Sequence, residues 1–340
     1  MSNKLKLAVA GVGNNILALC QGIKFYETDG RNVGIKRADI GGMTPHHVEV
    51  VAAFDIDAEK IGQPLKRAIF AGKNNYPDLQ QDLSEFALEV SAGIAPGGDQ
   101  EGEINRVADI LKSSSAEVLL YSLPTGLQEA ATAYALAACR AGVAFVNCTP
   151  EIVARSDEIM QQFVAQETPL IGDDLASHIG TSIIHRELLG LLNERGITLD
   201  SSYQLNLGGN ADFMNLREHG GTKQQSKMNA LAQEGVDVSN VEVIPSAGFI
   251  PHLRDNKVAY LNIEGSGWAG TPISIDLKLK VQDSSNAAGV IIDLIRIGAA
   301  ARRKAMHGFI PAAARLLKSP PGGHPLYADA DIDASFADLR

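Results

Sequence analysis

Short apolar runs alternate with longer amphipathic segments through the first half of the chain. The first run, LKLAVA at residues 5–10, ends in a glycine turn and is followed by NNILALCQGIKFY, which has helical spacing. Comparable runs follow as VEVVAAFDID, AEVLLYSLPTG and VAFVNCTPE, whereas residues 64–105 show no clear period. The alternation predicts an α/β fold with a doubly wound parallel sheet and helices on both faces.

The period changes after residue 183. Apolar and polar residues then alternate at period two in SYQLNLGG, VEVIPS, KVAYLNIEG and PISIDLKLKVQ. This pattern is typical of strands with one covered and one wet face, so we expect an open-sheet α+β domain at 184–286. A long amphipathic helix, NAAGVIIDLIRIGAAARRKA, should return to the first domain, leaving 1–183 and 287–340 on either side. Weak structure signals over the last dozen residues predict a mobile tail.

Composition narrows the classes of partner. The 340 residues carry a net charge of −10, which disfavours nucleic acid and acidic membrane surfaces as partners. Asp293 and Arg296 interrupt the longest apolar stretch, so we expect no membrane span. The 3 cysteines have no metal-ligand spacing, and an odd number predicts buried thiols in a reducing compartment, the cytoplasm.

A glycine turn joins the first strand to its helix. Gly11 and Gly13 permit a sharp turn that brings the backbone close to a pyrophosphate at a helix N-terminus. Ile16 replaces the third glycine of the usual motif, so a βα turn without a ligand is equally compatible with the motif alone. Asp55 ends the second strand, where a carboxylate can accept hydrogen bonds from the ribose hydroxyls of the dinucleotide and repels a 2′-phosphate. Together these residues favour NAD over NADP.

Four lysines in the second half are candidates for an anionic substrate, because an acidic chain needs a local cluster of cations to hold one. They are Lys223, Lys227, Lys257 and Lys318. Taken singly, each is also compatible with an ordinary solvated surface lysine.

Many segments, taken in order, resemble a known family. They include GVGNN, MTPHHVEVVAAFDID, YSLPTG, PLIGDDLASHIGTSIIHR, YQLNLGGNADFMNL, SKMNAL, DNKVAYLNIEGSGWAG, LKLKVQDSSNAAGVIIDLIR and LLKSPP. This set resembles the shorter archaeal and bacterial myo-inositol-1-phosphate synthases over nearly the whole chain. The resemblance implies a Rossmann domain interrupted by an α+β domain that builds the active site and a homotetramer. It implies conversion of D-glucose 6-phosphate to 1D-myo-inositol 3-phosphate by oxidation at C5, enolisation, intramolecular aldol addition and re-reduction.

The resemblance also implies which residues act. The catalytic residues would be Lys223, Lys227, Lys257, Lys318, Asp174 and Asp283. Tightly bound, recycled NAD would be held by Gly11, Gly13, Asn14, Asn15, Asp55, Ser122, Thr149, Asp174 and Ser177. The sugar phosphate would contact Asn210, Asp212, Asn215, Ser226 and Lys227.

Individual roles follow from the same resemblance. Lys223 and Lys318 would face the C5 oxygen, and Lys257 the C1 oxygen that forms in the aldol step. Asp212 would pair with a lysine, whereas Asp174 could equally be an ordinary cap of the next helix. A cation near the phosphate is known in the family, but no ligand spacing in this sequence shows one.

Two departures from the family pattern keep alternatives open. Ala176 stands where the family often has a lysine, and the glycine turn reads GNNILA rather than GNCASS. A paralogue that cyclises another sugar phosphate is therefore one alternative. The others are a two-domain NAD-dependent sugar dehydrogenase and a non-enzymatic NAD-binding protein.

Overall fold

Two β-sheets organise the chain in the computed structural model. It describes residues 4–95, 97, 100–231 and 238–340, without the side chains of 216–223 and 226. The strands are β1 (Leu5–Ala10), β2 (Val48–Asp55), β3 (Ser91–Ala92), β4 (Val118–Tyr121), β5 (Ala144–Asn147), β6 (Pro169–Ile171), β7 (Thr198–Gly208), β8 (Val241–Phe249), β9 (Asn256–Ser266), β10 (Pro272–Gln282) and β11 (Gly308–Phe309).

The helices alternate with the strands of the first half. They are α1 (Asn14–Asp29), α2 (Leu65–Ala68), α3 (Gln100–Ser113), α4 (Gln128–Ala141), α5 (Asp157–Ala165), α6 (Thr181–Glu194), α7 (Ala211–Leu231), α8 (Asp283–Arg303) and α9 (Asp329–Asp338). Short 3₁₀ turns occur at Pro251–Leu253, Trp268–Gly270, Pro311–Leu316 and His324–Leu326.

The first sheet is parallel, with strand order β11-β6-β5-β4-β1-β2-β3. Successive side chains of a strand point to opposite faces. In β4, Val118 and Leu120 accordingly enter the core under α1 and α8, whereas Leu119 and Tyr121 enter the core under α3, α4 and α5. Burying each such side chain contributes about 1.5–3 kcal/mol. The predicted doubly wound sheet with helices on both faces is confirmed.

The second sheet is mixed, with order β10-β9-β7-β8. Strand β9 runs antiparallel to both of its neighbours, β10 and β7, whereas β8 runs parallel to β7. Apolar residues from α6, the end of α7 and the inner sheet face form one core, for example Leu192, Leu231 and Val243. The other face is open and exposes Tyr203 and Tyr260. The period-two pattern therefore predicted this sheet correctly.

Helix α8 returns from the second sheet and packs on the first, as predicted. Its fully buried Arg296 donates to the carbonyl oxygens of Arg37, Ala38 and Met43 at 2.9–3.2 Å and to the Asp293 carboxylate at 2.6 Å. These bonds fix residues 37–43, which lie between α1 and β2, to the helix. The N-terminus of α8 lies beside the start of β9, where the Asp283 amide donates to the Asp255 carbonyl oxygen.

The C-terminal residues differ from expectation, because they form α9 instead of a mobile tail. Ser335 is buried and accepts from the Ala312 amide at 3.1 Å, and the Arg37 guanidinium lies 3.5 Å from the Phe336 ring centroid. Among the described residues, no helix is both long and apolar enough to cross a membrane. The domain boundaries at 183/184 and 286/287 stay predictions. Strands β1–β6 precede residue 184, β7–β10 lie within residues 184–286, and β11 follows them.

Candidate active site

A cavity of about 660 Å³ lies where β1, β2, β4 and β5 end and where α7 and the start of α8 approach them. Small-molecule sites usually enclose about 300–1,000 Å³. The cavity opens beside β1 and β4, where the strand order reverses, which is the usual ligand position in such sheets.

The structure brings the predicted residues together around this cavity. Those with described side chains all line it, namely Gly11, Gly13, Asn14, Asn15, Asp55, Ser122, Thr149, Asp174, Ser177, Asn210, Asp212, Asn215, Lys227, Lys257, Asp283 and Lys318. Lys223 and Ser226 belong to α7, but their side chains are outside the described residues.

The glycine turn fits a dinucleotide. Gly11 has φ +96°, and a Cβ there would lie 2.5 Å from the Ser122 carbonyl oxygen, so only glycine is tolerated. A Cβ at Gly13 would meet no atom within 4 Å, so the space in front of the turn is open. Gly13 also gives α1 no side-chain cap, which leaves the helix N-terminus facing the cavity.

Asp55 shapes this turn as well as facing the cavity. Its carboxylate accepts from the amides of Val12 at 2.6 Å and Asp57 at 2.9 Å. Lys60, which sequence reasoning missed, is buried 3.8 Å from that carboxylate and donates to the Val12 carbonyl oxygen at 2.9 Å. Asp55 and Lys60 therefore hold the amide and the carbonyl oxygen of Val12 in the turn. A single lysine after a strand has no spacing that would reveal this contact.

Polar groups at the ends of β4 and β5 line the cavity together with the glycine turn. Asn15 donates to the Ser122 hydroxyl at 3.1 Å, which ties α1 to β4. The Thr149 hydroxyl donates to the Asn147 side-chain oxygen at 2.8 Å. These bonds hold both predicted residues, Ser122 and Thr149, at the cavity wall.

Lys318 and Asp174 form a buried ion pair, with Nζ 3.0 Å from Oδ1. Backbone bonds support it, since the Lys318 amide donates to the Asp174 carbonyl oxygen at 2.7 Å. Asp173 and Ser319 also each donate to the carbonyl oxygen of the other, at 3.0 and 3.1 Å. Burial raises the pKa of the neighbouring Asp173 carboxyl, while bonds from Ala154 and other groups lower it. Two segments far apart in sequence are thus locked at the cavity.

Lys257 and Asp283 form a second ion pair in the cavity wall, with Nζ 3.3 Å from Oδ1. The Asn210 amide donates to the other oxygen of Asp283 at 3.2 Å. Both partners are partly exposed to the cavity, and the Lys257 ammonium lies 5.7 Å from the Phe213 ring centroid. The pair therefore places one oriented cation at the junction of β9 and α8.

Lys227 lies on α7 with only 3% of its surface exposed. Nearby polar side chains from α6 and β7 are also buried; for example, Gln204 donates to the Thr181 hydroxyl at 3.0 Å. Burial lowers the pKa of His185 to about 4, a bond with Gln204 opposes the shift, and the charge of Lys227 adds to it. His185 is therefore neutral at pH 7.

Asn215 and Asp212 join α7 to the loop after β4. Asn215 donates to the Thr125 carbonyl oxygen at 2.6 Å, and the Thr125 hydroxyl donates to the Asp212 carboxylate at 3.5 Å. The pairing of Asp212 with a lysine stays a prediction. Both residues fix the rim of the cavity.

Two further residues of the cavity wall, Ala176 and Arg186, affect how much positive charge the cavity contains. Ala176 is buried in the wall, so a lysine there would place its ammonium in or beside the cavity. Arg186, which sequence reasoning missed, contributes a cation from α6 and lies 2.7 Å from Glu187. Within the described part of the chain, no group of three or more His, Cys, Asp or Glu residues has a metal-binding arrangement.

Comparison with known proteins gives a consistent result. The family model for myo-inositol-1-phosphate synthase matches residues 180–284. The inositol-3-phosphate synthase of Mycolicibacterium smegmatis is 36% identical, with 94% of each chain covered. That of Mycobacterium tuberculosis is 37% identical over 94% of this chain and 92% of the relative.

Solved structures agree. The crystal structure of Ari2 has 57% identity and a TM-score of 0.89, with 99% of this chain and 98% of Ari2 covered. The inositol-3-phosphate synthase of Caenorhabditis elegans has 17% identity and a TM-score of 0.78, covering 100% of this chain and 85% of that one, which shows a shared fold. On the strength of the full-length relatives, the chain belongs to the myo-inositol-1-phosphate synthase family.

Proposed function

We propose that the protein is an NAD-dependent inositol-3-phosphate synthase, an isomerase that cyclises D-glucose 6-phosphate to 1D-myo-inositol 3-phosphate. The observation that carries the proposal is the convergence of Lys227, Lys257 and Lys318 on one cavity that also contains the glycine turn. The mycobacterial relatives named for this activity support it over nearly the full length of the chain.

The glycine turn, Asp55, Ser122 and Thr149 would hold the dinucleotide. When bound, NAD supplies the oxidation at C5 and the later re-reduction of the same carbon. Asp174 and Ser177 line the same cavity beside Thr149 and would border the nicotinamide.

The lysines would stabilise the oxygens on which negative charge develops. Fixed cations in a site shielded from water stabilise such charge better than water does, because they need no reorganisation. Lys318, oriented by Asp174, would face the C5 oxygen together with Lys223. Lys257, oriented by Asp283, would face the C1 oxygen when the C6–C1 bond forms.

The phosphate would lie near Lys227, with Asn210, Asn215 and Ser226 around it or the adjacent hydroxyls. Lys227 is buried beside the neutral His185 and lines the cavity, so it adds positive charge where an anion would enter. The homotetramer is carried over from the family as the working assembly, and the open face of the second sheet supports association of subunits without fixing their number. Three free, buried cysteines support the cytoplasm as its compartment.

The test uses glucose 6-phosphate labelled with ¹³C at C1 and C6, catalytic NAD, and carbon and phosphorus NMR. A synthase creates a one-bond C1–C6 coupling in a cyclic monophosphate without net NADH. A sugar dehydrogenase would instead accumulate NADH in proportion to the sugar and form no new carbon–carbon bond. Retention of full activity after replacement of the lysines would indicate a non-catalytic role for them.

A second candidate is a cyclase for a different sugar phosphate, and Ala176 favours it because this wall position lacks the lysine frequent in the family. Mannose 6-phosphate and fructose 6-phosphate, each labelled at C6 and at the carbonyl carbon, complete the panel. Coupling with one of these and none with glucose 6-phosphate would select this candidate. Ala176→Lys should then move the preference towards glucose 6-phosphate.

A further inference from the structure

Asp255 is a buried carboxylate behind the cavity wall, between the 3₁₀ turn at Pro251–Leu253 and β9. Only 1% of its surface is exposed. Its Oδ1 accepts from the Ser284 hydroxyl at 2.6 Å and from the side-chain amides of Asn14 and Asn210 at 3.2 and 3.3 Å. Its Oδ2 accepts from the Ser284 amide at 2.9 Å. Four donors from three distant segments therefore meet at one side chain.

One of these donors belongs to the cofactor turn. Asn14 is the first residue of α1, directly after Gly13, and its side-chain oxygen accepts from the amides of Asn75 at 2.8 Å and Tyr76 at 3.1 Å. The bond from Asn14 to Asp255 joins this turn to the strand that contains Lys257, two residues further along. A displacement of Asp255 would therefore also displace the start of α1.

The other contacts lead to Lys257. The Asp283 amide donates to the Asp255 carbonyl oxygen at 2.9 Å. The Asn210 side chain contacts Asp255 at 3.3 Å and Asp283 at 3.2 Å, and Asp283 pairs with Lys257 at 3.3 Å. A continuous series of polar contacts therefore runs from the cofactor turn to the ammonium of Lys257.

We propose that Asp255 is a positioning residue that fixes the Lys257 ammonium relative to the cofactor turn. The inference rests on the proposed function and extends it to a residue outside the cavity. Catalytic geometry is sensitive to such supports, since a shift of about 1 Å can lower turnover about 100-fold. Burial raises the pKa of Asp255 to about 6, the Ser284 bonds oppose this shift, and the Asp283 charge adds to it. The carboxylate that accepts all four donors is thus the form present at pH 7.

A purely structural role would be to cap α8, because Ser284 lies in its first turn. Loss of a cap lowers stability without changing the cofactor turn. Affinity for NAD, measured together with thermal stability, separates the two roles.

The variant Asp255→Asn keeps the size of the side chain but leaves one donor without an acceptor. We expect kcat at saturating NAD and sugar phosphate to fall about 10- to 100-fold and NAD to bind more weakly. In the Asn14→Ala background the same substitution should change NAD affinity by less than about twofold, since the shared contact is already lost. Ser284→Ala, which removes one donor, should lower kcat about threefold and serves if Asp255→Asn does not fold.

Asp293→Asn is the matched control, since Asp293 is also a buried carboxylate but lies within α8 and contacts Arg296. It should lower thermal stability and leave NAD affinity and kcat unchanged. The inference is overturned if Asp255→Asn behaves like this control, or if its effect on NAD affinity is the same with and without Asn14. A wild-type protein that binds NAD but cyclises no sugar phosphate would overturn the proposed function, while the NAD affinities would still decide on Asp255. Failure of the wild type to bind NAD would overturn both.

Discussion

Removal of the Lys318 ammonium should lower both the stability of the protein and its turnover. Lys318 is 8% exposed and Asp174 1% exposed, and their charged atoms lie 3.0 Å apart. Loss of one member of a buried ion pair costs about 3–5 kcal/mol, because the other charge remains away from water. We therefore expect Lys318→Met to lower the free energy of unfolding by about this amount.

The double variant Lys318→Met/Asp174→Asn tests the cause. With the carboxylate also neutralised, part of the loss should be recovered, with a coupling energy of about 0.5–3 kcal/mol between the two sites. Turnover should not recover, because in the proposed role of Lys318 the oxygen at C5 would still lack its cation; loss of one such group costs about 100- to 1,000-fold in kcat.

Urea unfolding followed by far-UV circular dichroism is the suitable assay. The single tryptophan, Trp268, is 91% exposed and reports poorly on the core. Protein concentration must be held constant, since subunit association would contribute to apparent stability. A Lys318→Met protein with wild-type unfolding and turnover would refute the argument, as would a coupling energy of zero.

Three further outcomes are expected. Gly11→Ala should abolish NAD binding, because its Cβ would lie 2.5 Å from the Ser122 carbonyl oxygen; an NAD titration with wild-type affinity would contradict this. Arg296→Met should lower the free energy of unfolding by about 3–5 kcal/mol in urea, because it leaves the Asp293 carboxylate buried, while kcat stays unchanged if the effect is structural. Asp255 has a pKa of about 6 against 3.8 in its ordinary state, so the native protein binds more protons between these values. Stability should therefore fall as pH rises from about 4 to 6. The Asp255→Asn variant should flatten a plot of melting temperature against pH over this range. A slope equal to that of the wild type would contradict this prediction.

The first sheet could be predicted from the sequence because its strands are buried on both faces. Runs such as VLLY at Val118–Tyr121 are entirely apolar, and the glycine turn marks where β1 ends. The second sheet was equally predictable, since Pro272–Gln282 alternates exposed and half-buried residues along its whole length. Shorter elements such as Leu65–Ala68 and Ser91–Ala92 span too few residues to show a period.

Residues that line the cavity were predicted where they stand in motifs and missed where contacts are made across the fold. Asp255 meets Asn14 across 241 positions, and Lys60 meets Val12 across 48, so no local pattern marks either. The helix at Asp329–Asp338 has little amphipathic pattern and is instead held by tertiary contacts, such as that of Phe336 with Arg37. Contacts of this kind become visible only when the chain is folded.

The central claim is that the protein closes a carbon ring on a substrate bound in this cavity, with the help of the lysines that line it. Its most direct test is a time course of doubly ¹³C-labelled glucose 6-phosphate with the wild type and Lys257→Met, each at saturating NAD. We expect a one-bond C1–C6 coupling to appear with the wild type alone, with no net NADH. Equal coupling in both proteins, or NADH that accumulates without a new carbon–carbon bond, would contradict the account.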